Sequence, residues 1–150
     1  MSLSGHHEVA CAILIDTFGR LLFQQRDDIP GILHPGKVGL FGGHREGKES
    51  YLECVVREIY EEISYFIPPG RFAHLIGYDE INVDGRTVHS EFFIADDLPV
   101  DRLRITEGSL LIVKPEDVAG IEARFSPPAI FAIKAFMNKQ QDRLVSRLRT

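Results

Sequence analysis

The chain has 150 residues, 44% of them hydrophobic, and a formal charge of −5. That length supports one domain with a substantial core and is too short for two comfortable ones. The acidic balance disfavours a general nucleic-acid or anionic-membrane binder, so a polyanionic ligand would need a metal ion or a local basic patch.

Cys11 and Cys54 are the only cysteines, and both fall in regularly patterned segments, which speaks against a disulfide framework and for a reducing, cytoplasmic setting. No apolar run approaches the roughly 20 residues needed to span a bilayer, and MSLSGHHEV lacks the basic-then-apolar order of a signal peptide. Residues 1–7 are expected to form a disordered start, with His6 and His7 a polar lead-in rather than a metal site. Residues 8–150 are expected to form one domain.

In chain order, EVACAILI (residues 8–15) reads as a buried central strand, and LLFQQR (residues 21–26) reads as a second strand after a turn at residues 16–19. Arg26 ends that strand, either as a solvated strand end or as a phosphate contact. DDIPGILHPGK (residues 27–37) has two Pro-Gly pairs and predicts an irregular loop able to close over a substrate, with His34 a surface residue within it. VGLF then leads into Gly42 and Gly43, which predicts strand, tight glycine turn and helix in succession.

The helix should start at Ser50, whose relation to Glu53 has the form of a capping box, and stop near Ile63 or Ser64 before Pro68, Pro69 and Gly70. Leu52, Val55, Val56, Ile59 and Ile63 form its apolar stripe. Glu58, Glu61 and Glu62 stand at i, i+3 and i+4 on the other side, where like charges destabilise a helix that has no counter-ion for them. A bound divalent cation would remove that conflict. Beyond the helix, residues 72–83 and 86–95 predict two antiparallel strands joined by a type I′ turn at Asp84-Gly85. Residues 102–113 have strand character interrupted at Glu107-Gly108, and Pro115–Val118 should make one helical turn. A last helix should follow Pro127 and Pro128, with a partial apolar stripe and a basic C-terminal part. The order strands, helix, strands, helix points to an α+β or mixed-sheet sandwich rather than a doubly wound parallel sheet.

Hard divalent cations take oxygen ligands, and Mg²⁺ is shared between one or two carboxylates and substrate phosphates. Such ions neutralise phosphoryl oxygens and lower the pKa of a bound water, while a spare carboxylate accepts its proton. Arg57 and Glu49 offer an ion pair tying the glycine segment to the helix, or else two unconnected surface charges.

The segment Gly42–Tyr65 resembles the signature box of the Nudix (MutT-type) hydrolases, G-x5-E-x7-R-E-U-x-E-E-x-G-U, where U is a bulky apolar residue. Gly43, Glu49, Arg57, Glu58, Ile59, Glu61 and Glu62 fill its fixed positions without insertion or deletion. Ser64 and Tyr65 stand where the family has glycine and an aliphatic residue. Ser64 should cost about 1 kcal/mol if the helix ends in a left-handed cap.

The resemblance implies an α/β/α sandwich with a mixed sheet, and a pyrophosphatase acting on a nucleoside diphosphate linked to another moiety with Mg²⁺ or Mn²⁺. Nucleoside triphosphates and nucleotide sugars are the favoured substrates. It implies Glu58, Glu61, Glu62 and the main-chain carbonyl of Gly42 as metal ligands, Glu49 and Arg57 as the organising pair, and Glu107 as an extra ligand or general base. Two alternatives are a nucleotide-sensing module that does not cleave and an allylic diphosphate isomerase. The full carboxylate set argues against the first. The second needs a catalytic cysteine and a histidine cluster, whereas Cys54 lies in the helix. Phe23, Tyr78 and Phe92 are candidates to stack a base, although strand aromatics more often fill a core. A homodimer is the prior expectation for assembly.

Overall fold

The structure, a computed structural model, describes residues 6–32, 34–81 and 84–148, with the backbone alone for residues 6 and 145–147. Strand β1 (His6–Asp16) is its axis. Its alternation sends Ala10, Ala12 and Leu14 to one face of the sheet and Ile13 to the other. The first face is covered by helix α1 (Tyr51–Ile63) through Cys54, Val55, Ile59 and Ile63. The second is covered by helix α2 (Pro127–Leu148) through Ala129, Ala132, Ile133 and Phe136. Two apolar layers therefore sandwich a mixed sheet, the α/β/α arrangement expected.

Strand β6 (Thr87–Leu98) runs parallel to β1 along nearly its whole length, and β5 (Ala73–Ile81) lies antiparallel outside β6. The opposite edge of β1 is divided. Leu14 and Ile15 pair with β2 (Leu21–Gln25), whereas Val9 to Ala12 pair with β4 (Phe41–His44). Short β3 (Val38–Gly39) continues beside the end of β2, and β7 (Ser109–Val113) takes the other edge of β2. β1 and β2 thus separate after their turn, and residues 38–44 enter the gap with Gly42 and Gly43.

Three expectations need correction. Gly42 and Gly43 are not a turn but the middle of β4, opposite Cys11 and Ala10. Asp84-Gly85 is not a two-residue link. Ile81 faces Thr87, so the centre of the register falls on Asp84 itself, whereas a type I′ loop would centre between Asp84 and Gly85. Residues 103–108 form no strand, and only 109–113 do. At the N-terminal end β1 already pairs at His6 and His7, ahead of the expected boundary, while residues 1–5 of the predicted disordered start lie outside the described residues.

The aromatic candidates resolve as packing. Phe23 and Phe92 are fully buried, and Tyr78 lies against Phe131 of α2 with ring centroids 4.2 Å apart. The loop after β2 is stitched at its ends by Arg26 N–H to the Lys37 carbonyl (2.9 Å) and Gly36 N–H to the Asp27 carbonyl (3.0 Å). Among the described residues no helix is long and apolar enough to cross a membrane.

Candidate active site

The start of α1 is fixed by its own sequence. Ser50 Oγ accepts from Glu53 N–H at 3.0 Å, and Glu53 returns a carboxylate oxygen to Ser50 N–H at 2.7 Å. Its end is fixed by Ser64, in the left-handed conformation at φ 56° and ψ 32°. Arg104 N–H, Thr106 N–H and Thr106 Oγ1 then donate to the carbonyls of Ile63, Glu62 and Glu61. These carbonyls have no partner within the helix, so residues 103–107 finish what the helix cannot.

Arg57, half-buried, organises the acidic face. Its Nε and Nη2 form a two-pronged pair with Glu49 at 3.0 and 2.6 Å, Nη1 reaches Glu58 at 3.0 Å and Glu61 at 3.3 Å, and Nη2 also donates to the His44 carbonyl. Helix, loop and strand β4 are thereby held by one guanidinium, whose planar fork suits such bidentate contact. The Arg57 hydrogen bonds hold the Glu49 carboxyl down to about 2, and Glu49, followed by Glu58 and Glu61, raises Arg57 further above its usual range.

Glu62 has different surroundings. It is buried, and its Oε1 accepts from Gly42 N–H at 2.7 Å. Among the described residues no cation pairs with it. Burial is the main cause that raises its carboxyl to about 8; the charges of Glu58 and Glu107 push the same way, and the Gly42 N–H and Gln24 oppose them. Glu58 is also raised, again chiefly by burial, with Arg57 opposing.

The two glycines admit this arrangement. A Cβ on Gly43 would strike the Glu58 carboxylate, and one on Gly42, at φ 146°, would run into the Ala10 carbonyl and lie 2.5 Å from the Cys11 Cα. Their role is close approach within a strand.

Arg26 donates from Nη1 to Gln24 Oε1 at 3.3 Å, and Gln24 Nε2 donates to the Glu107 carbonyl at 3.0 Å. Gln24 thus ties Arg26 to the Glu107 backbone, and Gln24 and the Glu107 charge both act on the Glu62 carboxyl. Glu107 itself is exposed, and its backbone rather than its carboxylate makes that contact. Gln24 was missed from sequence. The available signal was a polar residue on the same strand face as Leu22, where alternation demands an apolar one. Thr106 was missed too, and no local pattern marks it.

A second set of carboxylates lies away from this site on β5 and β6. His89 Nδ1 is 2.6 Å from Asp79 Oδ1 and its Nε2 is 2.5 Å from Glu91 Oε2, while His74 Nε2 is 2.6 Å from Glu91 Oε1. A neutral imidazole has a single N–H, so His89 satisfies both carboxylates only as the cation. Its pKa is raised accordingly, by Asp79 first.

A family model described as the NUDIX domain matches residues 5–148, and on that match the chain belongs to the Nudix family. Members of the family hydrolyse nucleoside diphosphate derivatives and generally use divalent metal ions; this chain is a pyrophosphohydrolase. Among solved structures it is similar to a MutT protein from Methanosarcina mazei Go1, with 21% identity, TM-score 0.76, and 95% of this chain and 99% of that one covered. It is also similar to the E. coli ORF135 protein, with 23% identity, TM-score 0.70, and coverages of 95% and 98%. A third likeness is to a bifunctional NMN adenylyltransferase/ADP ribose pyrophosphatase from Francisella tularensis complexed with AMP and a manganese ion, with 17% identity, TM-score 0.70, and 89% of this chain against 42% of that one. No curated protein sequence matches the chain.

Proposed function

We propose that the protein cleaves the pyrophosphate bond of a nucleoside triphosphate or nucleotide sugar, with Mg²⁺ or Mn²⁺ held at the acidic face of α1. The observation that carries this reading is Glu62, a buried carboxylate with no cationic partner among the described residues, next to the partly buried Glu58. Burying an anion without a counter-ion is costly, and a divalent cation is the partner that fits a hard, all-oxygen donor set. As the side chains stand, no three acidic, histidine or cysteine groups among the described residues are placed to hold an ion, and Glu58 and Glu61 are hydrogen-bonded to Arg57. Small rotations of these carboxylates would free oxygens for a cation.

In this reading Glu58, Glu61, Glu62 and the Gly42 carbonyl hold the cation, which when bound neutralises phosphoryl oxygens and activates a water. Arg57 and Glu49 keep the helix and loop in register. Arg26 offers its guanidinium to a substrate phosphate, and Glu107 is an additional ligand or proton acceptor. The two free cysteines suit a cytoplasmic enzyme. Replacing Glu62 with Gln keeps the shape and the Gly42 contact but removes the charge. It should lower kcat by about 10²- to 10⁴-fold while the melting temperature is maintained. A Glu62→Gln protein that turns over a nucleotide panel as fast as the parent would refute the assignment. Saturable nucleotide binding without any phosphate-containing product would favour the sensing module.

A further inference from the structure

On the face of the sheet opposite α1, a cavity of about 140 Å³ lies between α2 and the ends of β1, β5 and β6. Its floor is Ile15, Ile94 and Phe136, and its rim carries Arg71, Lys139 and Arg143, with Gln140 and the single carboxylate of Asp96. Among the described residues neither Lys139 nor Arg143 has an ion-pair partner, and Arg71 donates from Nη2 to the Asp96 main-chain carbonyl rather than to a carboxylate. Three cations therefore converge on one concavity in a protein whose net charge is −5.

The ordinary explanation for cations late in a helix is the macrodipole, and it falls short here. That effect fades within the last turn, and α2 continues to Leu148, two turns beyond Lys139. Lys139 and Arg143 stand at i and i+4 on the face that carries Phe136. Like charges at that spacing destabilise a helix, and Lys139 is moreover half-buried. Arg71 and Arg143 are exposed and singly solvated, but solvation alone does not account for two cations one turn apart beside a third over the same concavity. An anion between them would.

We infer that this cavity is a binding site for a small phosphate-bearing anion, separate from the catalytic face. Ammonium and guanidinium donors around an apolar floor match a doubly charged phosphate with a short organic group attached. Size favours a small ligand: pockets that enclose drug-sized ligands run to ~300–1,000 Å³, so 140 Å³ suits a phosphate or a compact phosphomonoester better than a whole nucleotide. The site does not depend on the proposed hydrolysis, since none of its lining residues belongs to the acidic face.

The test is calorimetric titration of the full-length protein, freed of divalent metal with a chelator, with inorganic phosphate and with phenyl phosphate at constant ionic strength. Saturable binding of either is expected, and equal affinity for the two would mark free phosphate, whereas tighter phenyl phosphate would mark an organic monoester. Lys139→Gln/Arg143→Gln should weaken binding at least about tenfold. The charge-conserving Lys139→Arg/Arg143→Lys protein should retain most of it, and a Glu58→Gln/Glu62→Gln protein should bind as the parent does. Heat no larger than a chloride control gives, undiminished affinity in the Gln pair, or loss of binding in the Glu58→Gln/Glu62→Gln protein would each overturn the site. A matching melting temperature for the two Lys139/Arg143 proteins separates lost binding from lost folding.

Discussion

Two groups of carboxylates in this protein gather around a single cation, and they differ in whether that cation can lose its charge. Around Arg57 stand Glu46, Glu49, Glu58 and Glu61. Around His89 stand Asp79 and Glu91. A guanidinium stays charged at every pH a protein survives, so the first group keeps its arrangement while its carboxylates exchange protons or ligands. An imidazolium does not, so the second group is held only while His89 is protonated. A permanent cation suits a site that must remain acidic and assembled. A titratable one ties an edge strand to its neighbour conditionally.

The comparison can be broken most severely at Arg57. Arg57→Lys retains the charge but loses the fork that grips Glu49 while reaching Glu58, and activity should fall at least tenfold with an unchanged pH profile, measured as kcat/KM from pH 6 to 9. Arg57→Ala removes the counter-charge from four carboxylates, Glu46, Glu49, Glu58 and Glu61. It should destabilise the fold by about 1–3 kcal/mol, the range for losing hydrogen bonds to charged groups, read from urea denaturation. If Arg57→Ala is as stable as the parent, Arg57 does not organise the site.

A smaller effect is expected at the helix exit. Ser64 holds a left-handed conformation at φ 56°, so Ser64→Gly should stabilise the protein by about 1 kcal/mol, or roughly 2–4 °C in melting temperature for a chain of this size. No gain would mean that Ser64 pays nothing for its conformation.

The smallest effect belongs to His89, and its sign follows from the raised pKa. The stabilisation is complete below the unfolded value near 6.5 and is lost as pH rises through the higher folded value. Melting temperatures of the parent and of His89→Gln should therefore converge as pH is raised above about 6.5 and separate below it. Parallel curves across that range would remove His89 from the account and leave Arg57 as the sole organising cation.

What could be read from sequence was local. The spacing of Glu58, Glu61 and Glu62, the Ser50–Glu53 box and the apolar stripe are set by residues within one helix; the structure reproduces the box and buries Val55, Ile59 and Ile63, with Leu52 and Val56 partly buried, but it also buries Cys54 and Glu62, which the two-sided reading left out. What could not be read depends on residues brought together from afar. A glycine pair looks the same whether it makes a turn or lets a strand pass close to another group. Only Cys11, Ala10 and the Glu58 carboxylate lying opposite decide that Gly42 and Gly43 do the second. Gln24 and Thr106 gain meaning from Glu107 and from the carbonyls of Glu61 and Glu62, partners 83, 45 and 44 residues away along the chain. Asp84-Gly85 misled because the edge strand chose its register from pairing along β6 rather than from its turn chemistry.

The docking of Thr106 onto the end of α1 also orders events in time. A ribosome makes Thr106, whose N–H seats the Glu62 carbonyl, 44 residues after it makes Glu62. Until then the last turn of α1 has free carbonyls, and the backbone that positions Glu61 and Glu62 is unanchored on one side. The contacts that close the end of α1 therefore cannot form until the β5–β6 hairpin has been made and the following segment has reached the helix. A nascent chain halted before residue 106 would have every glutamate of the acidic face yet lack the contacts that set the end of its helix.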